Sequence, residues 1–276
     1  MRNFRIILQY EGTRYQGWQK QESTENTIQG KLEQLLSKMA GTKVEVQGSG
    51  RTDAGVHAMG QVANFHIDTD KTAQQIMEYM NFYLPEDIAV VAIKEVAERF
   101  HSRLNAKGKT YCYRVINSGI PHVFSRRYAH VVERPLDIPA MQRAAEYLLG
   151  THDFKAFTST KKSKKSTVRT IDKITIERVD STYPAGVSGT GTCPAGAALL
   201  TGAKNGADAD AEICFTYTGD GFLYHMVRIL TGTLLEVGLH ERAPEEIETI
   251  LKTGRREDAG ALAPAKGLTL MEVFYS

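Results

Sequence analysis

The sequence predicts an α+β protein built on a mostly antiparallel sheet with helices on one face. Three observations carry that reading: runs that alternate apolar and polar side chains, amphipathic helical stretches among them, and short loops that let successive strands pair. Residues 4 to 10 alternate as a strand does. Thr27 to Met39 then places Ile28, Leu32, Leu35, Leu36 and Met39 at helical spacing behind a polar cap. Further strands are expected at 43 to 47, 61 to 67, 88 to 97 and 109 to 117, with a helix around 72 to 82. In the second part Asp137 caps a helix running through Leu149, and strands at 171 to 180 and 212 to 218 lead to the helix carrying "HMVRILTGTLLEV". One more helix follows Pro244, and "GLTLMEVFY" closes the chain as a strand.

The chain has 276 residues, enough for one large domain or two modest ones. Its 34 basic and 32 acidic residues leave a formal charge of +2, so affinity for nucleic acid or membrane has to come from local patches. Cys112, Cys193 and Cys214 are odd in number and far apart in sequence, which argues against a zinc site or a disulfide framework and for a reducing, cytoplasmic compartment. The opening apolar run is too short for a signal peptide and no later stretch approaches bilayer length, so a soluble protein without membrane contact is expected. Tyr183 to Asp210 is rich in Gly, Ala and Thr and nearly free of large apolar residues. It reads as a long solvated excursion from a hairpin.

Chemistry concentrates in three separated clusters: Arg51 and Asp53 in "GSGRTDAGVHAMGQ", Lys109 and Tyr111 in "KGKTYCYRV", and Arg228 in "GFLYHMVRILTG". Asp53 beside glycine reads equally as a turn residue capping its own backbone. Tyr111 and Tyr113, two positions apart on a strand, read as sheet packing for at least one of them. Arg228 is harder to dismiss, because Phe222, Met226, Ile229, Leu230 and Leu234 surround it with apolar surface and a guanidinium there needs a carboxylate or an exit to water. His57, His66 and His225 lack metal-ligand spacing and are read as satisfied structural histidines; no metal site is expected. The glycine loop departs from G-x-G-x-x-G at Asp53 and has no phosphate-loop lysine, so no nucleotide cofactor is implied. Its glycines are expected to let a ligand approach the backbone closely. Trp18, in "YQGWQKQ", is read as core packing ahead of base stacking.

Six motifs in order, "YEGTRYQGWQKQ", "GSGRTDAGVHAMGQVANF", "FHSRLNAKGKTYCYRVIN", "GTHDFKAFTST", "GFLYHMVRILTG" and "AGALAPAKGLTLMEV", resemble the tRNA pseudouridine synthase A family and cover almost the whole chain outside the excursion. Two departures are visible: the longer excursion, and Thr110 and Cys112 where basic residues are common. The resemblance implies the pseudouridine synthase fold, with two similar sheet-forming halves, 1–107 and 108–276, and an active-site cleft between them. It also implies a cofactor-free isomerase, usually a homodimer, that converts uridine to pseudouridine at positions 38 to 40 of the tRNA anticodon stem-loop. Asp53 then matches the catalytic carboxylate, acting as nucleophile or as base toward a ribose proton. Arg228 matches its charged partner, and Tyr111 the tyrosine that stacks on uracil and helps remove the C5 proton. Arg51 is placed to hold the opened strand once the nucleotide has flipped. RNA contact is further assigned to Lys109 and to Lys161, Lys162, Lys164, Lys165 and Arg169, the last five lying in the densest basic run, "KKSKKSTVR". A non-catalytic tRNA-binding protein on the same fold and a hydrolytic nucleosidase are the alternatives.

Overall fold

A computed structural model describes residues 1–160, 166–179 and 211–275; the excursion and Lys161, Lys162, Lys164 and Lys165 lie outside the described residues. Alternation buries Phe4, Ile6, Leu8 and Tyr10 on one side of β1 (Arg2–Tyr10). Thr27 caps α1 (Ile28–Ala40) by accepting from the Gly30 amide at 3.2 Å. β2 (Val46–Gly48), β3 (His57–Ile67), α2 (Ala73–Tyr83) and β4 (Ile88–Val96) complete the first part of the chain. The rest supplies β5 (Gly108–Asn117), β6 (His130–Val132), α3 (Ile138–Glu146), β7 (Gly150–Asp153), β8 (Val168–Val179), β9 (Ala211–Gly219), α4 (Met226–Gly238), α5 (Glu246–Thr253) and β10 (Leu268–Phe274).

The strands form one sheet in the order β4-β1-β3-β10-β5-β9-β8-β7, with β2 beside β3 and β6 beside β5. Pairing is antiparallel except between β10 and β3 and between β5 and β6, so the α+β class and the mostly antiparallel sheet hold. The last strand is the seam: β10 pairs with β3 through Thr269 and Leu270 and with β5 along its length, making the sheet continuous. On β5 and β9 one face buries Tyr111, Tyr113, Val115, Ile213, Phe215 and Tyr217, while the alternate residues Cys112, Arg114, Glu212, Cys214 and Thr216 are partly exposed.

Several boundaries differ from expectation, each for a local reason. Ladder pairing begins only at Val46, because the Val44 amide is taken by the Ser37 hydroxyl. α3 stops at Glu146 in a turn, and Gly150, at φ +91, redirects the chain into β7. The cysteines, distant in sequence, are brought together: Cys112 and Cys214 lie on neighbouring strands with sulfurs 3.2 Å apart, both as free thiols.

α4 positions the most important side chain. Every residue of this helix is buried except Arg228 and Glu236. The Thr231 and Thr233 hydroxyls are satisfied by carbonyls one turn back, at 2.8 Å each. A strap over residues 259–263 runs along the helix: the Gly260 amide donates to Thr233, the Ala261 amide to Glu236, and the Ala263 amide to the Arg228 carbonyl. Gly232 makes this approach possible, since a Cβ there would stand 1.8 Å from the Ala261 carbonyl oxygen. A second tether crosses the seam. Lys109, at the start of β5, donates its ammonium to the Ser49 carbonyl at 3.0 Å and holds the glycine loop against the sheet. Burial, reinforced by the charge of Arg103, lowers the Lys109 pKa from 10.5 to about 8.

Both tethers are testable. Helix propensity favours Gly232→Ala by about 1 kcal/mol, but the clash with the strap outweighs it. Urea unfolding should show a net loss of about 1–3 kcal/mol, and an unchanged midpoint would mean that the strap does not need this glycine. For Lys109 the folded state releases a proton near pH 8 that the unfolded chain keeps until its ordinary value, so the unfolded state binds more protons in between. The parent should therefore gain stability relative to Lys109→Met as pH rises from about 8 to about 10. Parallel stability curves for the two proteins over that range would show that the buried ammonium is not at issue.

Candidate active site

The glycine loop, residues 48–56, is fixed at almost every position. The Ser49 amide donates to the Val62 carbonyl and its hydroxyl to Gln61, and the Gln61 amide donates to the Gly50 carbonyl. The Thr52 carbonyl accepts from the Trp18 amide, and the Thr52 hydroxyl meets the Tyr10 hydroxyl at 2.8 Å. The glycines answer to these internal contacts. A Cβ on Gly48 would lie 2.5 Å from the Trp18 ring and one on Gly50 only 2.2 Å from the Lys109 ammonium. At Gly48 and Gly50 the close neighbours are the protein's own side chains. Trp18 is core, 2% exposed, as expected.

So held, the loop presents Asp53 at the wall of a cleft of about 1100 Å³, which Arg51, Lys109, Tyr111, His225 and Arg228 also line. Arg228, 175 residues further along the chain, donates Nη1 to Asp53 Oδ2 at 3.1 Å and Nε to the Ala263 carbonyl at 2.7 Å. The guanidinium on an apolar helix thus has its carboxylate. Both side chains are largely buried, at 11% and 17% exposure, which strengthens the attraction and makes either partner costly to leave alone. The strap that carries Ala263 therefore fixes the azimuth of Arg228 as well as packing its helix.

Tyr111 is buried in the same cleft, its ring edge-on to Phe222 at 5.2 Å. Burial, and then the negative charge of neighbours including Asp53, pushes its hydroxyl far above the ordinary tyrosine range. Tyr113, two positions on, is the packing tyrosine and donates to the Pro264 carbonyl at 2.8 Å. Lys109 stands at the cleft wall but spends a proton on Ser49. Arg51 is exposed at the rim, with Nε bonded to Gln19 at 3.0 Å. Arg169 is set apart from the carboxylate, bonded to the Ser166 carbonyl at 3.1 Å and lying against Gly221, just before the loop that enters α4.

Two of the three histidines are structural, as read. His57 Nδ1 accepts from the Gly12 amide at 3.0 Å and Nε2 meets the Arg127 carbonyl at 2.8 Å, while His66 bonds the Glu98 carbonyl. His225 is the correction. Its Nε2 stands 3.5 Å from Asp53 Oδ2 and its Nδ1 2.8 Å from the Ser159 hydroxyl, so it belongs to the site. Position relative to Arg228 was the available signal: a histidine three residues before a needed arginine, at the entry of a helix, shares one face with it.

Comparison with known proteins agrees with this constellation. A family model described as tRNA pseudouridine synthase matches residues 6–105 and 144–276. Proteins named tRNA pseudouridine synthase A from Bacillus sp. (strain KSM-64) and Acetivibrio thermocellus are 45% and 41% identical to this chain. One named tRNA pseudouridine synthase A 1, from Clostridium tetani, is 45% identical. Each alignment spans 100% of both chains. The chain belongs to the tRNA pseudouridine synthase family, isomerases that convert uridine to pseudouridine.

Proposed function

We propose that this enzyme acts at positions 38 to 40 of the tRNA anticodon stem-loop, with Asp53 as the catalytic carboxylate, Arg228 as its partner and Tyr111 as the surface on which uracil stacks. The observation that carries the reading is the Asp53–Arg228 contact, 3.1 Å long, in a cleft shared with Tyr111. The resemblance in sequence motifs supports the choice of stem-loop site.

The chemistry breaks the N1–C1′ bond, turns the uracil while it is held, joins C5 to C1′, and then removes the C5 proton while N1 gains one. Asp53 either attacks as a nucleophile or takes a ribose proton to give a glycal, and both routes start from the ionised carboxylate. Arg228 holds that carboxylate in place with a charge-assisted hydrogen bond of 3.1 Å. Tyr111 caps the turning base and stands beside it when the proton leaves. No cofactor enters. The uridine must leave its stack to reach Asp53, and Arg51, at the rim, is placed to hold the opened strand. Lys109, Arg169 and the lysines 161, 162, 164 and 165 are read as phosphate contacts, which would make binding salt-dependent.

Residues 1–107 then contribute Asp53, and 108–276 contribute Tyr111 and Arg228. We read the enzyme as a cytoplasmic homodimer; the exposed apolar Ile120 and Val123 between β5 and β6 support a second subunit. Among the described residues no helix is long and apolar enough to cross a membrane.

Unmodified transcribed tRNA, treated with the protein and mapped chemically for pseudouridine, should gain the modification at positions 38 to 40. Pseudouridine confined to other positions would contradict the assigned site. Free uracil would point to hydrolysis, and tight binding without modification to a non-catalytic protein.

A further inference from the structure

The isomerisation removes the C5 proton and puts one on N1, so the C5 proton has to leave the base within a cleft in which Asp53 is only 17% exposed. Tyr111 is a poor acceptor, because its burial disfavours the phenolate. Asp53 can accept the proton, but it must then be emptied for the next turnover.

His225 is built against local preference. It has φ 65, a left-handed conformation costly for a side chain with a Cβ, and among the described residues only His240 shares positive φ without being glycine. It also occupies the N-cap of α4 without making a capping hydrogen bond, where Ser, Thr, Asp or Asn would serve the helix better. Its ring is committed elsewhere. Tyr224 stacks on it at 3.7 Å between centroids, Nδ1 meets Ser159 at 2.8 Å, and Nε2 faces Asp53 Oδ2 at 3.5 Å. Ser159 is exposed. One imidazole therefore joins the buried carboxylate to a hydroxyl in contact with water.

We propose that His225 relays the C5 proton out of the cleft, receiving it from Asp53 at Nε2 and releasing the Nδ1 proton through Ser159 to water. The inference rests on the function read above. The C5–H bond breaks with its electron pair restoring the C5–C6 double bond, the C6–N1 π pair moves to N1, which takes a proton from water, and the C5 proton joins the Asp53 carboxylate. It passes to the lone pair of Nε2. The Nδ1–H bond then breaks toward the Ser159 oxygen, whose own proton goes to solvent, and exchange with water resets the ring. No electron is gained or lost. A neutral ring is required at the start. Burial lowers the His225 pKa, and the charges of Arg228 on its own helix and of Arg256 in the turn after α5 act in the same direction, while Asp53 opposes them. His225 works through Asp53, so its role is to position and empty that carboxylate.

The test uses tRNA deuterated at C5 of uridine, in single turnovers, with the parent and His225→Asn. Asparagine tolerates the left-handed backbone, so the turn into α4 is kept while the imidazole is lost. The relay predicts a loss of about 100-fold in rate, a C5 isotope effect absent from the parent, and partial rescue by free imidazole. A parent-like rate would overturn it, as would a slow, tRNA-binding variant with neither isotope effect nor rescue. If the asparagine variant does not fold, Ser159→Ala decides the matter, since that residue is exposed: an isotope effect supports the relay, and its absence overturns it. A parent that forms no pseudouridine would sink the functional reading and the relay together, whereas an active parent with an unimpaired His225→Asn sinks the relay alone.

Discussion

The rest of this structure is arranged around one ion pair between residues 175 positions apart in the chain. The Arg228 guanidinium, on a helix buried except for it and Glu236, and the Asp53 carboxylate, on the tethered glycine loop, are only 11% and 17% exposed, so little solvent reaches either charge. Their meeting requires three things at once: the glycine loop must be rigid, α4 must keep its azimuth, and the two parts of the chain must share a frame. Lys109 and Gln61 meet the first need, the 259–263 strap the second, and β10, threaded between β3 and β5, the third. Such a pair is weak evidence for stability, because desolvation offsets much of the attraction. It is better understood as a device that aims the Asp53 carboxylate into the cleft.

Much of the frame was legible along the chain because it obeys local rules. The alternation of Phe4, Ile6, Leu8 and Tyr10 and the Thr27 cap depend on neighbours within a turn or a strand, so periodicity and capping chemistry find them. The need of Arg228 for a carboxylate was also legible, since a charge inside an apolar helix face is a conflict visible in sequence. The motif resemblance then pointed to Asp53 as the group that resolves it.

What escaped sequence reading is tertiary in origin. Trp18 and Lys109 press on Gly48 and Gly50 from distant positions, a contact that nothing in the loop itself announces. His225 looked like an ordinary histidine because nothing local announces that its backbone is left-handed or that Asp53 and Ser159 flank its ring. Cys112 and Cys214 approach only because β5 and β9 pair in one particular register. The short strands β6 and β7, with three and four residues, carry too little pattern to stand out from loops.

The central claim is that the Asp53 carboxylate performs the chemistry and is more than a turn residue. Asparagine keeps the size and turn preference of Asp53 while removing the group that attacks or accepts a proton. The direct measurement is release of tritium into water from tRNA labelled at C5 of uridine, by the parent and by Asp53→Asn, with tRNA affinity measured in parallel. The account predicts that the variant folds, binds tRNA about as well as the parent, and releases no label. Release at a rate near that of the parent would contradict it.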